Sequence, residues 1–163
     1  MISKTMQDAI NDQINKELYS SYLYLSMAAY FENNNLPGFA KWMHVQEGEE
    51  RGHAMKLYEF LVDRGGRVLL KPIAAPDTDW KTSLDLFKQV AGHEAAVTAS
   101  IHTLYALAVK ENDYAAQVML HWFITEQVEE EKNAAEIVQQ LELVEARGTA
   151  VLMLDHRLGK RGE

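Results

Sequence analysis

The feature that most constrains this chain is where its helix breakers fall. Proline is confined to Pro37, Pro72 and Pro76, and the remaining breaks, at Asn33-Asn34-Asn35, Gly65-Gly66, Asn112-Asp113 and Gly148, leave stretches of about thirty residues uninterrupted between them. Thr5-x-x-Asp8 reads as a capping box, and Pro37 suits the first turn of a second helix. The spacing predicts helices over about 5–33, 37–64, 82–111 and 114–145, with a short fifth over 149–158. The expected architecture is all-α, one domain over 1–163, with no internal repeat or low-complexity segment.

Each long stretch carries one buried stripe. On the first lie Ile10, Ile14, Glu17, Ser21, Tyr24, Ala28 and Phe31, stepping by four and three. The second has Phe39, Met43, Gln46, Glu50, His53, Leu57 and Phe60; the third Phe87, Val90, Glu94, Val97, Ile101, Leu104 and Ala108. The fourth has Leu120, Phe123, Gln127, Glu130, Ala134, Ile137 and Leu141. All four stripes are interrupted by polar residues near the middle. Short turns make two antiparallel hairpins. The linker from Gly65 to Lys81 can stretch roughly 50 Å, more than the roughly 42 Å of a 28-residue helix, so it can cross the whole bundle and leave the second and third helices parallel.

The polar interruptions then share one level. From the first turn, Glu17 lies about 18 positions back, and Glu50 and His53 about 15 and 18 forward. From the second, Glu94 lies about 18 back, and Gln127 and Glu130 about 15 and 18 forward. Four buried carboxylates without compensation are costly, and no Lys or Arg occupies a stripe at that level. A metal reached through oxygen and nitrogen fits, because the chain has no cysteine. Glu50-x-x-His53 puts a carboxylate and an imidazole on one helical face, the arrangement used in di-iron carboxylate bundles, where a Glu from each of two helices joins Glu-x-x-His motifs from the others. Glu17 and His53 are expected on one iron, Glu94 and Glu130 on the other, Glu50 bridging, and Gln127 beside bound oxygen or water. The competing reading is a buried polar network that serves only specificity.

Charge and composition narrow the partners. The formal charge of -8 and the lack of a Lys/Arg block make nucleic acid an unexpected partner. No apolar run approaches the roughly 20 residues of a membrane span, and Met1-Ile2-Ser3-Lys4 does not open a signal peptide, so the expected location is the cytoplasm.

With Glu17, Tyr24, Glu49-Glu50-Arg51-Gly52-His53, Glu94 and Glu126-Gln127-Val128-Glu129-Glu130 in place, the chain resembles the bacterial non-haem ferritins over essentially its whole length. The resemblance implies iron storage. Fe(II) would be oxidised with O2 or peroxide at a ferroxidase centre of Glu17, Glu50, His53, Glu94 and Glu130, with Gln127 beside it and Tyr24 supplying a hydrogen bond or an electron. It also implies a third iron site toward the cavity at Glu49, Glu126, Glu129 and Glu130, and a homo-oligomeric shell of twenty-four subunits with the fifth helix at the four-fold axis. The apolar run Ala150-Val151-Leu152-Met153-Leu154 agrees with a helix that needs neighbours. Haem is not expected: bacterioferritins carry a second Glu-x-x-His and a Met after the first motif's Glu, where this chain has Gln127-x-x-Glu130 and Arg51. The stretch that lines the three-fold channels of animal ferritins with carboxylates reads Ala115-Ala116-Gln117-Val118-Met119-Leu120 here, which leaves iron's way in open. A di-iron peroxidase or oxygenase and a purely structural bundle are the rival classes; the chain has no rubredoxin-like cysteine module.

Overall fold

The computed structural model describes residues 1–144 and 148–162. Among them are five helices and no strand: α1 (Lys4–Asn33), α2 (Pro37–Asp63), α3 (Ser83–Lys110), α4 (Tyr114–Val144) and α5 (Gly148–Leu158). The expected end of the fourth helix at Glu145 lies outside the described residues. None of the helices is long and apolar enough to cross a membrane.

Local chemistry explains the ends. The expected capping box at Thr5 and Asp8 does not form: α1 starts one turn earlier, where the Ser3 hydroxyl accepts from the Met6 N–H at 3.0 Å. Asp8 is instead one turn inside the helix, paired with Lys4 at 2.6 Å. Pro37 takes the first turn of α2, and Thr82 caps α3 by accepting from the Asp85 N–H at 3.0 Å. Asn35 and Asn112 make the two hairpin turns with φ of 58° and 54°, a left-handed conformation that asparagine tolerates better than most residues.

The crossover tracks α1 from end to end. Gln7 accepts from the Arg67 N–H, Asn11 holds both the Arg67 carbonyl and the Leu69 N–H, and Lys71 pairs with Asp12. Farther along, the Ser26 hydroxyl donates to the Asp77 carbonyl at 2.6 Å and the Tyr30 phenol to the Trp80 carbonyl at 3.0 Å. Because the linker runs with α1 from its first turn to its last, α3 begins where α1 ends, and that is also where α2 begins. The second and third helices are therefore parallel, and the two hairpins face each other.

The core is not continuous. One apolar cluster, built on Tyr24, Phe31, Phe39, Met43 and Phe87, fills the end where α2 and α3 start. A second, built on Ile10, Ile14, Leu57, Ile101, Leu120 and Phe123, fills the other end. Each fully buried Leu, Ile or Phe contributes about 1.5–3 kcal/mol, so the two clusters are the bundle's main source of stabilisation. Between them lies a layer of buried polar side chains: Gln13, Glu17, Gln46, Glu50, His53, Glu94, Gln127 and Glu130.

The fifth helix closes the end occupied by the aromatic cluster, packing on α2 and α4. Leu154 and Leu158 face inward and join that cluster, while Leu152 and Met153 remain exposed. A Cβ on Gly38 would fall 1.7 Å from the Asp155 carbonyl oxygen, so only glycine permits this approach of α5 to α2.

Candidate metal centre

Each of the four long helices sends its expected ligands into the polar layer: Glu17 from α1, Glu50 and His53 from α2, Glu94 from α3, Gln127 and Glu130 from α4, all buried. Glu17, Glu50 and His53 each offer a ligand atom within 4.8 Å of the others. A second group, on the same criterion, joins His53 to Glu126 and Glu130, so the imidazole stands between the two. His53 is held edge-on by Trp122 and Phe123, with ring centroids 5.3 and 6.0 Å away, which fixes its plane.

The protein itself satisfies these groups only in part. The Tyr24 phenol donates to Glu94 Oε1, and Gln127 Nε2 lies 3.2 Å from Glu94 Oε2 and 3.2 Å from the Thr98 hydroxyl. Gln13 donates to Glu17 Oε1 at 2.8 Å. Glu17 Oε2 and Glu50 Oε2, in contrast, are buried with no hydrogen-bond partner. His53 Nδ1 lies 3.3 Å from that Glu50 oxygen without the alignment of a hydrogen bond. Two carboxylate oxygens left this way need a proton or a metal cation between them.

Burial also raises the pKa values of these carboxyls. Burial, reinforced by the Glu50 charge, pushes the Glu17 carboxyl up to about 8 against the Gln13 hydrogen bond. Burial and then the Glu94 charge raise Glu130 to about 7, with Gln46 and Arg161 opposing. Glu50 is held well above the usual carboxylate range by burial first, then by Glu94 and Glu130. The Tyr24 phenol is raised well above its ordinary value, by burial and the facing carboxylates, so it stays a donor. Without a metal, protons must supply the missing charge; a divalent cation would replace them.

The residues expected at a third position are less assembled. Glu126 is half-buried and belongs to the group with His53 and Glu130, while Glu129 is exposed. Glu49 is paired at 2.5 Å with Arg161, from the turn after α5. No Lys or Arg lies on a helix stripe at this level, but the turn after α5 brings this arginine to it. Arg161 also donates to Gln46 Oε1 at 2.8 Å and stacks 4.4 Å over the Trp42 ring.

Gln13 and Gln46 belong to the layer although neither was expected there as a functional residue. A signal existed: Gln13-x-x-x-Glu17 and Gln46-x-x-x-Glu50 place a carboxamide one turn before the carboxylate on both helices of the first hairpin. Of the other histidines, His93 lies 2.7 Å from the Ser20 hydroxyl, its basicity lowered by burial against the opposing Glu94 charge. His44 meets Glu32 and His121 meets Tyr105, both toward the surface.

Known proteins share this architecture. The family described as Ferritin-like domain matches residues 7–144. The bacterial non-heme ferritin of Bacteroides fragilis (strain 638R) is 41% identical over 161 residues, 99% of this chain and 100% of that protein. That of Staphylococcus aureus (strain USA300) is 34% identical over 161 residues, 99% of this chain and 97% of that protein. Among solved structures, an open pore ferritin from the hyperthermophilic archaeon Archaeoglobus fulgidus superposes with a TM-score of 0.97 at 46% identity, covering 99% of both chains. A humanized archaeal ferritin gives 0.99 at 47% identity over 100% of both. With its domain, its full-length relatives and its donor layer all in agreement, this chain belongs to the ferritin family.

Proposed function

We propose that the protein is a ferroxidase that stores iron: two Fe(II) bind in the polar layer, are oxidised by O2 or peroxide, and move on as Fe(III) to a mineral inside a hollow homo-oligomeric shell in the cytoplasm. The observation that carries this reading is the pair of buried, partnerless oxygens of Glu17 and Glu50, within ligand distance of His53. Glu17 and His53 would hold one iron, Glu94 and Glu130 the other, and Glu50 would bridge them, with Gln127 as the neutral neighbour. Both irons are substrate. Each gives up one electron to the oxidant and leaves, which suits a donor set that relies partly on a carboxamide.

Apolar clusters fill the bundle above and below the layer, and two buried carboxylate oxygens with no hydrogen-bond partner support a cation between them over a polar network serving specificity alone. Tyr24, locked on Glu94, is placed to donate a hydrogen bond or an electron. A third iron at Glu49, Glu126, Glu129 and Glu130 is supported by the nearness of Glu126 to His53 and Glu130. It requires Glu49 to give up Arg161.

We read the chain as a single ferritin-like domain that assembles, with twenty-four copies as the expected number. The support is exposed apolar surface, with Leu152 and Met153 on α5 and Leu69, Leu70 and Ile73 on the crossover all open to solvent. Anaerobic Fe(II) followed by a pulse of air, then gel filtration with iron analysis, tests the whole reading. Iron that elutes oxidised with a particle of shell mass supports it. A small oligomer that oxidises Fe(II) and releases all of it points to an ordinary di-iron oxidase instead.

A further inference from the structure

The polar layer is wired to the end of the chain. Gln46 is wholly buried, and its Nε2 donates to Glu130 Oε2 at 2.8 Å and to Glu50 Oε1 at 3.3 Å. Glu50 is on α2 and Glu130 on α4, so one carboxamide ties the central carboxylate of the first hairpin to a carboxylate of the second. The other end of that amide, Oε1, accepts from Arg161 Nη1 at 2.8 Å, while Arg161 Nη2 donates to Glu49 at 2.5 Å. The guanidinium lies over the Trp42 ring, and its side chain is only 20% exposed, so it is held on three sides rather than swinging in solvent.

A carboxamide can present either end. Facing two carboxylates it must show its N–H groups, and a guanidinium, which has donors only, locks that choice by claiming the oxygen. The positive charge also polarises the amide and strengthens both of its N–H donations. The segment that carries Arg161 is itself fixed. Asp155 on α5 accepts from the Phe39 N–H at 2.8 Å, and Gly159 sits against Gly38.

We propose that Arg161 is a positioning residue for iron oxidation, acting through Gln46 to hold Glu50 and Glu130 at the separation that two irons require. This rests on reading the layer as the dinuclear centre. It makes the turn after α5 part of the site, although it is remote in sequence from every ligand. Arg161 and Gln46 touch no iron in this account; they fix the carboxylates that do.

The test is a double-mutant cycle on the assembled protein: Arg161→Ala, Gln46→Ala and the pair, with Arg161→Lys as the conservative variant. The readouts are the fast-phase rate of Fe(II) oxidation at saturating iron, the half-saturating Fe(II) concentration, and the visible spectrum of Co(II) bound in place of iron. Losing a hydrogen bond to a charged group corresponds to an effect of about tenfold or more. R161A and Q46A should each slow the fast phase by about tenfold, shift the half-saturating concentration less, and alter the Co(II) spectrum. The pair should be no slower than either. R161K, which keeps a charge but lacks the fork, should fall between R161A and the unaltered protein. Additive losses, an unchanged Co(II) spectrum, or an R161K protein as fast as the unaltered one would overturn the proposal, while a fast unaltered protein would still support the dinuclear centre. If the unaltered protein takes up no Co(II) and shows no fast phase, the centre itself is refuted and the positioning role falls with it.

Discussion

Gln127 and Glu94 meet twice: the Gln127 amide nitrogen lies 3.2 Å from the Glu94 carboxylate and 3.3 Å from the Glu94 backbone carbonyl. The contact joins α3 to α4 inside the polar layer with a neutral group where a fourth-helix carboxylate would add charge. Gln127→Glu should therefore tighten anaerobic metal binding by about tenfold, since one added charge interaction in a partly shielded site is worth on the order of 1–2 kcal/mol. Release of Fe(III) should slow in step. Calorimetric titration with Co(II) and the rate of repeated oxidation cycles measure both, and unchanged affinity and turnover would remove the role given to Gln127.

The metal-free protein should lose stability as pH rises. Glu17, near 8, and Glu130, near 7, bind protons in the folded state well above their ordinary value of 4.5, and Glu50 is shifted the same way. The groups facing them are His53, Glu94, Glu49 and Arg161. The folded state thus holds more protons than the unfolded one, so this contribution is fully present below about 4.5 and is lost as pH rises through about 8. Melting temperatures of the metal-free protein from pH 5 to 9 should fall, and bound divalent metal should flatten the trend, because it replaces the protons. A rise with pH in the metal-free protein would contradict the assignment.

Removing the Tyr24 hydroxyl leaves Glu94 Oε1 without its donor. Tyr24→Phe should lower stability by about 1.5–3 kcal/mol in the metal-free state, the range for hydrogen bonds to charged groups. It should also slow the fast phase of oxidation. Chemical denaturation and rapid-mixing absorbance check the two effects separately, and a slowed reaction without lost stability would favour electron donation over hydrogen bonding.

The attachment of the fifth helix depends on a contact that no nearby residue can replace. Leu36 precedes α2 and has no side-chain acceptor, so Asp155 caps the helix from α5 by taking the Phe39 N–H. Asp155→Ala should cost about 1–2 kcal/mol. Gly38→Ala, which forces a methyl group toward the Asp155 carbonyl, should push α5 away and weaken assembly. Sedimentation analysis of the two variants against the unaltered protein is the check; an intact assembly for both would show that α5 docking is not what holds it.

The helices and the level of the buried polar residues could be read from the sequence because both follow from periodicity. Breakers at Asn33–Asn35 and Asn112-Asp113 set two hairpins, and equal counting from each turn brought Glu17, Glu50, His53, Glu94, Gln127 and Glu130 to one layer. The linker's length allowed a crossover along the whole bundle, and the known connection of such bundles supplied its direction. What periodicity could not give is anything that depends on a side chain meeting a distant one. Ser3 displaced the expected cap at Thr5 because capping is decided by which hydroxyl reaches a free N–H, and sequence spacing does not show that reach. Arg161 was invisible because its partners, Gln46 and Glu49, are more than a hundred residues away and the turn that delivers it has no period. Gln46 lies on the buried stripe of α2, but its role depends on Glu130 from another helix.

The most direct measurement is diffraction from crystals soaked anaerobically in Fe(II), with data collected on both sides of the iron absorption edge. Two anomalous peaks are expected inside the bundle, one between Glu17 and His53 and one between Glu94 and Glu130, with Glu50 touching both. Iron found only on surface carboxylates, with the layer between the two apolar clusters empty, would contradict this arrangement.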